Sequence, residues 1–402
     1  MYITILRGSN VNKACRMALL LSSLYLASCN SISEQTPVQQ TTTNVTTVMP
    51  TAQDPANNDK FALLLPTTGQ LKQSSAAIQN GFMAAYYHQE QQQPNNQAIQ
   101  VYNTQGKSLN DVYQQAINNG ATNVVGPLAK PEVSALNHIK INKPTLALNF
   151  SPNGTDKNTL YQFALSPEDE ANQVAIKAAQ DGKTQALIIA PDSSWGQAIA
   201  TTFTNKWRNQ GGGVVDELKY ADKTNFEKSV KQLLHINDQS IKALRANKAP
   251  TQPVRRQDFD MIFLIASPDT AKKIVPMLNF YYANDIPIYA TSMVYTGIPN
   301  PANDKDLDGV KFCDIPLILD NSQQMKTIRN HMYKLIRPSQ RDMIRLYAFG
   351  IDAYQLSVHQ DQFSNNFMMA GMTGNLYLGK QHQILRQLQW AEFKNGTPVN
   401  IT

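Results

Sequence analysis

Cysteine is scarce in this chain of 402 residues, which has three: Cys15, Cys29 and Cys313. Cys15 lies within an N-terminal segment with the features of an export signal, and Cys29 follows that segment directly. The mature chain would then keep one thiol beyond residue 29, and a lone thiol excludes an internal disulfide framework. Cys313 lies in the strand-like stretch GVKFCDIP, where we expect it to fill a buried apolar site.

Charged residues are also few, at 16% of the chain. Arg7, Lys13 and Arg16 precede Cys29 and no acidic residue does, so removing that segment leaves 33 basic against 30 acidic residues. No run of Lys and Arg of the kind that grips a phosphate backbone remains. We therefore expect no nucleic-acid partner.

Common catalytic motifs are missing. The sequence has no G-x-S-x-G elbow, no H-E-x-x-H, no P-loop and no Ser-x-x-Lys. Its six histidines are scattered, without the paired spacing of metal ligands. We expect a protein that is not an enzyme, with no catalytic residue, no cofactor and no metal site.

Long hydrophobic runs are lacking as well. The apolar run Met17–Ala27 follows the basic Arg16 and is too short to span a bilayer, which takes roughly 20 apolar residues. A basic stretch followed by such a run is typical of a signal peptide. We predict a signal peptide over residues 1–28.

The residues at the end of this segment are Leu26, Ala27 and Ser28, followed by Cys29. A Leu, two small residues and a Cys resemble the bacterial lipobox, in which the thiol is acylated and the chain is cut just before it. We predict lipidation (palmitate) of Cys29; a plain signal peptide with a coincidental cysteine is the alternative. Asn30 favours the outer membrane, facing the periplasm, because inner-membrane lipoproteins often have Asp there. More than one acyl chain gives stable anchoring.

The next stretch, residues 29–59, is rich in Thr, Gln and Pro and has no aromatic residue or periodicity. Such a composition cannot bury a core. We predict a disordered tether.

From Lys60 onward, short apolar runs alternate with helical patterns. The run KFALLLP precedes Ile78, Phe82 and Tyr86, which recur at i, i+4 and i+8, and a second round begins at QALIIAPDSSWG. Alternation of this kind builds parallel sheets with helices on both faces. We predict an α/β fold with two Rossmann-like lobes and a cleft between them.

This predicted body, residues 60–402, divides into two discontinuous lobes. We expect lobe 1 to comprise about 60–164 and 289–365, and lobe 2 about 165–288 and 366–402.

The cleft is the natural place for a ligand, because ligands of doubly wound folds bind beyond the carboxyl ends of strands, near helix N-termini. Three loops and one strand end supply polar or aromatic side chains there. The candidate cleft residues are Thr67, Thr68, Asn149, Ser151, Ser193, Ser194, Trp195, Tyr289, Thr291 and Ser292. They could hold a small anion such as an amino-acid carboxylate. Helix capping explains the same hydroxyls, and both interpretations stay open.

Several stretches resemble known families. FALLLPTTGQLKQSSAAIQNGF, VVGPLAKPEV and APDSSWGQAIATTF resemble type I periplasmic binding proteins. The stretch from Arg255 to Gly297, together with DLDGVKFCDIP, RLYAFGIDAYQL and the tail from GMTGNLYLG, resembles the LpoA (LppC) family. This resemblance covers nearly the whole predicted body.

The resemblance implies a function. Members of that family are outer-membrane lipoproteins that are not enzymes and that activate class A penicillin-binding proteins, the bifunctional peptidoglycan synthases that maintain cell shape. The larger members carry a helical-repeat domain before this one, and here only the predicted tether takes that place. Arg255 and Arg256 are candidates for the partner surface, since Arg pairs well with carboxylates at interfaces; solvated surface arginines are the alternative.

A second function class uses the same fold. A solute-binding lipoprotein that delivers an amino acid or peptide to an ABC transporter would also have two such lobes, so the fold alone does not decide.

Overall fold

The computed structural model describes residues 59–92, 98–364 and 366–401. The predicted signal peptide, Cys29 and all but the last residue of the predicted tether lie outside the described residues. Within those described ranges, no helix is long and apolar enough to cross a membrane.

The first part of the body builds parallel strands with helices between them. Its elements are β1 (Lys60–Leu65), α1 (Lys72–Gln92), β2 (Ala98–Asn103), α2 (Leu109–Asn118), β3 (Asn123–Val125), α3 (Lys130–Ala135), β4 (Thr145–Ala147) and β5 (Leu160–Phe163). Strand β1 is apolar from Phe61 to Leu65 and buried throughout that run. It lies between β2 and β3, with side chains packed on both faces, as is typical of parallel sheets.

The second part repeats this alternation. Its elements are α4 (Pro167–Gln180), β6 (Gln185–Pro191), α5 (Ser194–Asn209), β7 (Gly213–Tyr220), α6 (Phe226–Leu233), α7 (Asp238–Arg245), β8 (Met261–Leu264), α8 (Pro268–Phe280), β9 (Ile288–Ala290), α9 (Pro301–Asp304), β10 (Val310–Asp314), α10 (Pro316–Leu319) and α11 (Gln323–Leu335). Serine side chains at positions 166, 193 and 267 cap α4, α5 and α8 by accepting a backbone N–H of the first turn.

The last part contains one long helix and the antiparallel strands. Its elements are α12 (Ile344–Val358), β11 (Met368–Ala370), β12 (Asn375–Leu378), β13 (Gln383–Gln387), β14 (Gln389–Lys394) and β15 (Thr397–Ile401). Asn395 and Gly396 join β14 to β15 with φ angles of 53° and 69°. This is the Asn-Gly pair that favours a tight hairpin, because both residues must be left-handed.

The strands form two sheets. One has eight strands in the order β11-β12-β13-β5-β4-β3-β1-β2, and the other has seven in the order β15-β14-β10-β9-β8-β6-β7. We call the eight-stranded sheet with α1–α3 and α12 lobe 1, and the seven-stranded sheet with α4–α11 lobe 2. Each lobe has its own apolar core. The predicted α/β class with two parallel-rich lobes is confirmed.

The boundaries predicted for the lobes differ from this arrangement. Strand β10, predicted in lobe 1, and β9, through which the predicted boundary passes, both pair within the sheet of lobe 2, where β9 lies beside β8. Strands β11 to β13, predicted in lobe 2, belong to lobe 1, because β13 pairs in parallel with β5. Apolar patterning identifies a strand but does not say which sheet edge it joins.

Helices α1 and α12 cross closely in lobe 1. A Cβ atom on Gly350 would lie 2.0 Å from the carbonyl oxygen of Ile78, and one on Gly81 would lie 2.0 Å from that of Tyr347. The rings of Phe82 and Tyr354 meet beside this crossing at 5.1 Å. The two glycines therefore allow backbone-to-backbone contact between the helices.

Candidate functional site

Most of the candidate cleft residues lie where the sequence places them, just beyond the carboxyl ends of parallel strands. Thr67 and Thr68 follow β1, the 149–151 loop follows β4, the 193–195 segment follows β6, and the 291–292 pair follows β9. In lobe 1, Thr67 donates its backbone N–H to Oδ1 of Asn103 at 2.9 Å. Thr68 is exposed at the turn before α1.

The polar side chains of the 149–151 loop bond mainly to neighbouring segments of lobe 1. Asn149 donates from Nδ2 to the carbonyl of Leu128 at 3.1 Å and accepts the N–H of Phe150 at 3.0 Å. Ser151 is buried, with its Oγ 3.4 Å from Nδ2 of Asn137 and its N–H bonded to Oε1 of Gln162 at 2.6 Å. Neither side chain is presented as a ligand group.

At the start of lobe 2, the capping interpretation holds for Ser193. Its Oγ accepts the N–H of Gly196 at 3.1 Å, so it begins α5. Gly196 lies against the end of β6, where a Cβ atom would be 2.3 Å from the carbonyl oxygen of Pro191. Ser194 and Trp195 are exposed on the first turn, and Trp195 keeps 37% of its surface.

Tyr289 does not face the cleft, contrary to prediction. Its hydroxyl donates to Asp181, just after α4, at 2.6 Å. Ser292, by contrast, bonds to Glu170 in the first turn of that helix. These two partners lie about 16 Å apart along α4, because each helical residue adds about 1.5 Å. A strand residue near the middle of β9 points into the helix layer, and only residues after the strand reach its carboxyl edge.

Thr291 and Ser292 are buried at that edge. Ser292 donates its N–H and its hydroxyl to the two carboxylate oxygens of Glu170, at 2.9 and 3.0 Å. The hydroxyl of Thr291 is buried and has no hydrogen-bond partner among the described residues. Through Ser292, this pair contacts a set of buried charged residues next to the predicted cleft.

We name that set the crossing cluster: Glu170, Asp314, Arg345, Asp352 and Arg386. Arg345, in the first turn of α12, donates from Nε and Nη2 to both carboxylate oxygens of Asp314, at 2.9 and 2.5 Å. The same Nη2 donates to the carbonyls of Ser292 and Tyr295 at 3.2 and 3.0 Å. Asp314 is fully buried at the end of β10.

Arg386 is the second guanidinium of the crossing cluster and is 2% exposed. Its Nη2 lies 3.8 Å from Oε1 of Glu170, and its Nη1 donates to the carbonyl of Thr373 at 3.4 Å. Nε and Nη2 make no hydrogen bond with the described residues. Asp352 accepts the N–H groups of Met372 and Thr373, both at 2.7 Å, and the Thr373 hydroxyl at 2.6 Å.

Carboxyl groups outnumber guanidinium groups in the crossing cluster, by three to two. Burial raises the pKa of Asp352 to about 6, against the opposing hydrogen bonds from Thr373 and Met372. Burial also raises the pKa of Asp169 to about 6 and that of Glu170 above its ordinary value, although Arg386 opposes both shifts. These carboxyl groups therefore hold protons more strongly than exposed ones do.

The two arginines predicted for a partner surface are used internally. Arg255 is 7% exposed and donates from Nη2 to both oxygens of Asp285 at 2.7 Å. Arg256 donates to both oxygens of Asp258, at 2.7 and 2.9 Å, and to Asp216 at 2.9 Å. Neither guanidinium is presented as a contact group for a partner, because the nearby aspartates already pair with both.

Two depressions in the described part of the chain lie away from the candidate cleft residues. One, of about 520 Å³, is lined by α6 and the turn after it. The other, of about 330 Å³, is lined by Leu388, Gln389, Trp390, Asn400 and Ile401. None of the candidate cleft residues lines either of them.

Comparison with known proteins identifies the family of this chain. A family model described as "LppC putative lipoprotein" matches residues 37–396. The chain belongs to the LppC family. The family resemblance drawn from its motifs is thereby confirmed.

Two relatives of this LppC-family protein share a name. A "Penicillin-binding protein activator LpoA" from Photobacterium profundum is 28% identical over 352 residues, which cover 84% of this chain and 56% of the relative. A protein of the same name from Edwardsiella piscicida is 30% identical over 322 residues, covering 75% of this chain and 46% of the relative. The chain spans about half the length of these relatives.

Solved structures agree with the fold of the LppC-family body. Full-length LpoA from Haemophilus influenzae superposes with a TM-score of 0.67 at 25% identity, covering 87% of this chain and 60% of that one. The C-domain of LpoA (YraM) from the same organism, described as a regulator of PBP1A, gives 0.66 at 25% identity, covering 86% of this chain and 100% of that one. A "putative branched-chain amino acid ABC transporter" from Rhodospirillum rubrum gives 0.64 at 15% identity, covering 86% and 100%, which shows the fold alone.

Sequence reasoning missed the crossing cluster of this LppC-family protein. Glu170 lies in the acidic first turn of α4, where a carboxylate is ordinary, and Arg386 lies in an alternating strand. The signal available was an arginine at an inward-facing position of β13, flanked by the apolar Ile384 and Leu388. A buried arginine needs a carboxylate partner, but nothing local identifies which one.

Proposed function

We propose that this LppC-family chain is a non-enzymatic activator of a class A penicillin-binding protein, which binds the synthase and stimulates peptidoglycan synthesis and crosslinking. The observation that carries the proposal is the match of its body to the entire C-domain described as a regulator of PBP1A. The name shared by the curated relatives supports the same role.

The geometry of the predicted cleft favours action through the outer surface. Four of the candidate cleft residues use their side chains in hydrogen bonds within the chain: Asn149, Ser151, Ser193 and Ser292. A solute-binding protein needs convergent polar groups that are available to its ligand. The alternative role, delivery of an amino acid or peptide to an ABC transporter, therefore has less support.

The activation proposal is tested with the full chain purified in detergent, a class A synthase from the same organism and its lipid-linked substrate. We expect a saturable complex and a higher crosslinked fraction in the muropeptide profile. Penicillin-treated synthase serves as the control, since it should still bind the chain but form no crosslinks. If no complex forms and crosslinking is unchanged, the proposal fails.

The rival function is tested in parallel by thermal shift of the full chain with amino acids, short peptides and muropeptides. A ligand at about 100 times its dissociation constant stabilises a protein by about 2.7 kcal/mol. A clear stabilisation by an amino acid or a peptide, without any synthase complex, would favour the solute-binding role.

We further propose that acylated Cys29 anchors the chain in the outer membrane, facing the periplasm. About 30 tether residues at roughly 3.3 Å each would reach on the order of 100 Å when fully stretched. Cys29→Ser should abolish palmitate labelling and release the chain from the membrane fraction, whereas Cys15→Ser should leave both unchanged. Continued labelling of the Cys29→Ser chain in outer membranes would contradict the anchor.

A further inference from the structure

The chain passes between the two lobes at three places. The first lies between β5 and α4, the second at Met343 and Ile344, where α12 begins, and the third at Leu388 between β13 and β14. In a two-lobed binding protein, closure on a ligand is a rotation about such connections. The contacts made at these connections therefore determine whether the two lobes can rotate relative to each other.

Arg345 ties the second connection to lobe 2. Helix α12 itself belongs to lobe 1, because Gly350 contacts α1 and Phe349 stacks on Phe163 at 4.5 Å. The acceptors of Arg345 nevertheless all come from lobe 2: the carboxylate of Asp314 and the carbonyls of Ser292 and Tyr295. A planar guanidinium can satisfy these acceptors together in only one orientation of α12 relative to lobe 2.

A second tie surrounds the third connection. Arg386 lies on β13 in lobe 1 and faces Glu170 on α4 in lobe 2. Gln173, one turn further along α4, donates from Nε2 to the carbonyl of Arg386 at 3.0 Å and accepts the N–H of Leu388 at 2.9 Å. Both ends of the connection are thus bonded to the same helix.

A third tie uses the backbone of Met372. Its N–H donates to Asp352 in lobe 1, and its carbonyl accepts the N–H of Leu317 in lobe 2 at 3.1 Å. The side chain of Met372 packs against the core of lobe 2. The loop between β11 and β12 therefore touches both lobes.

These ties are buried, and this makes them costly to break. Asp314 and Arg386 have almost no exposed surface, so a rotation that separated either from its partner would leave an uncompensated charge in a dry environment. Surface ion pairs would exchange their partners for water with little cost.

We propose that Arg345 and Arg386 lock the two lobes in one relative orientation, so that the body is a rigid scaffold that does not close on a ligand. The lock concerns the conformation of the chain alone and stands whether or not the synthase is its partner.

The test measures the distance between spin labels on the two lobes by pulsed electron paramagnetic resonance. The labels are attached to cysteines introduced at exposed positions by Gln115→Cys on α2 and Asn205→Cys on α5. The full chain also carries Cys15→Ser and Cys29→Ser, which remove the two other reactive thiols. Cys313 is buried and takes no label. We expect one narrow distance distribution that does not change when amino acids or short peptides are added.

The paired variants are Arg345→Met and Arg386→Met, with Arg245→Met as the control because Arg245 is exposed on α7. We expect each cluster variant to broaden the distribution and to speed hydrogen exchange at the Leu388 and Met372 amides by about tenfold or more. Amides of the central strand β8 should stay protected, which shows that lobe 2 remains folded.

Two results would overturn the lock. One is a labelled chain with an intact crossing cluster whose distance distribution already has two maxima, or shifts when an amino acid is added. This result would count even if a cluster variant fails to fold. The other is a folded cluster variant whose distribution is as narrow as that of the Arg245→Met control. Arg345→Lys, which keeps the charge without the planar fork, should broaden the distribution to an intermediate extent.

Discussion

The crossing of α1 and α12 allows a prediction for Gly350→Ala in which the sign of the change in unfolding free energy is decisive. In an ordinary helix interior, Gly→Ala stabilises by about 1 kcal/mol, because alanine has the higher helix propensity. At Gly350 the added Cβ would lie 2.0 Å from the Ile78 carbonyl oxygen and 2.8 Å from the Phe82 nitrogen. Both are backbone atoms of α1, so no side-chain rotation can relieve the contact.

The magnitude follows from the distance. Cβ atoms essentially never approach other atoms more closely than 3.0 Å, so the helices must separate by about 1 Å. Separation loosens the contact of Phe82 with Tyr354, which lies beside the crossing. Overpacking typically costs about 1–3 kcal/mol. Taking the upper end and subtracting the propensity gain, we expect Gly350→Ala to destabilise the body by about 2 kcal/mol.

The assay is urea unfolding of the full chain followed by tyrosine and tryptophan fluorescence and by circular dichroism. Ala84→Val is the matched control, since it adds bulk at an exposed position of α1 and should cost only about half a kcal/mol in propensity. A Gly350→Ala chain as stable as the parent, or more stable, would refute the close crossing. A loss no larger than that of Ala84→Val would do the same.

Three further expectations can be checked in the same preparations. Because burial raises the pKa of Asp352 to about 6 in the folded chain, the folded state binds the extra proton, and this group alone should raise stability by about 1 kcal/mol from about pH 7 to about pH 5. Asp169, whose pKa burial also raises to about 6, should add a similar amount, so Asp352→Asn should remove about half of the rise in a urea-midpoint profile; an unchanged slope would count against it. Ser193→Ala should cost about 1 kcal/mol in urea unfolding through loss of the cap on Gly196, with Ser193→Thr nearly neutral, whereas equal losses in both would point away from capping. Burial raises the pKa of Cys313 well above its usual range, so its alkylation at about pH 8 should follow global unfolding, and rapid labelling of the folded chain would show that the site is open.

Local patterns sufficed for the features that local forces determine. The apolar run from Phe61 to Leu65 predicts a central parallel strand because both of its faces must be covered. A serine before a helix predicts a cap, and Ser193 provides one. Asn395 and Gly396 fit a hairpin because both need left-handed backbone.

Features set by distant pairing were not predictable in this way. Strand β13 joins its sheet through β5, far away in sequence, and the assignment of β11 to β13 to lobe 2 was wrong for that reason. The assignment of β10 to lobe 1 was also wrong, because β10 pairs with β9 in the sheet of lobe 2. Ser292 bonds to a carboxylate 122 positions earlier, and Tyr289 to one 108 positions earlier. A single sequence carries no signal that links residues at such separations.

The location of the charges bears on how a two-lobed protein can serve as an activator. A solute-binding protein keeps its polar groups for a ligand in the cleft and needs connections that allow rotation. Here Asn149 bonds to the carbonyl of Leu128 and Ser292 bonds to Glu170, both within the chain. The charges of Asp314 and Arg386 lie buried beside the connections between the lobes. The charged groups at these connections pair across the two lobes instead of facing a solute. A surface spanning both lobes would then keep a constant shape, and a preorganised surface loses less conformational entropy when it binds a second protein.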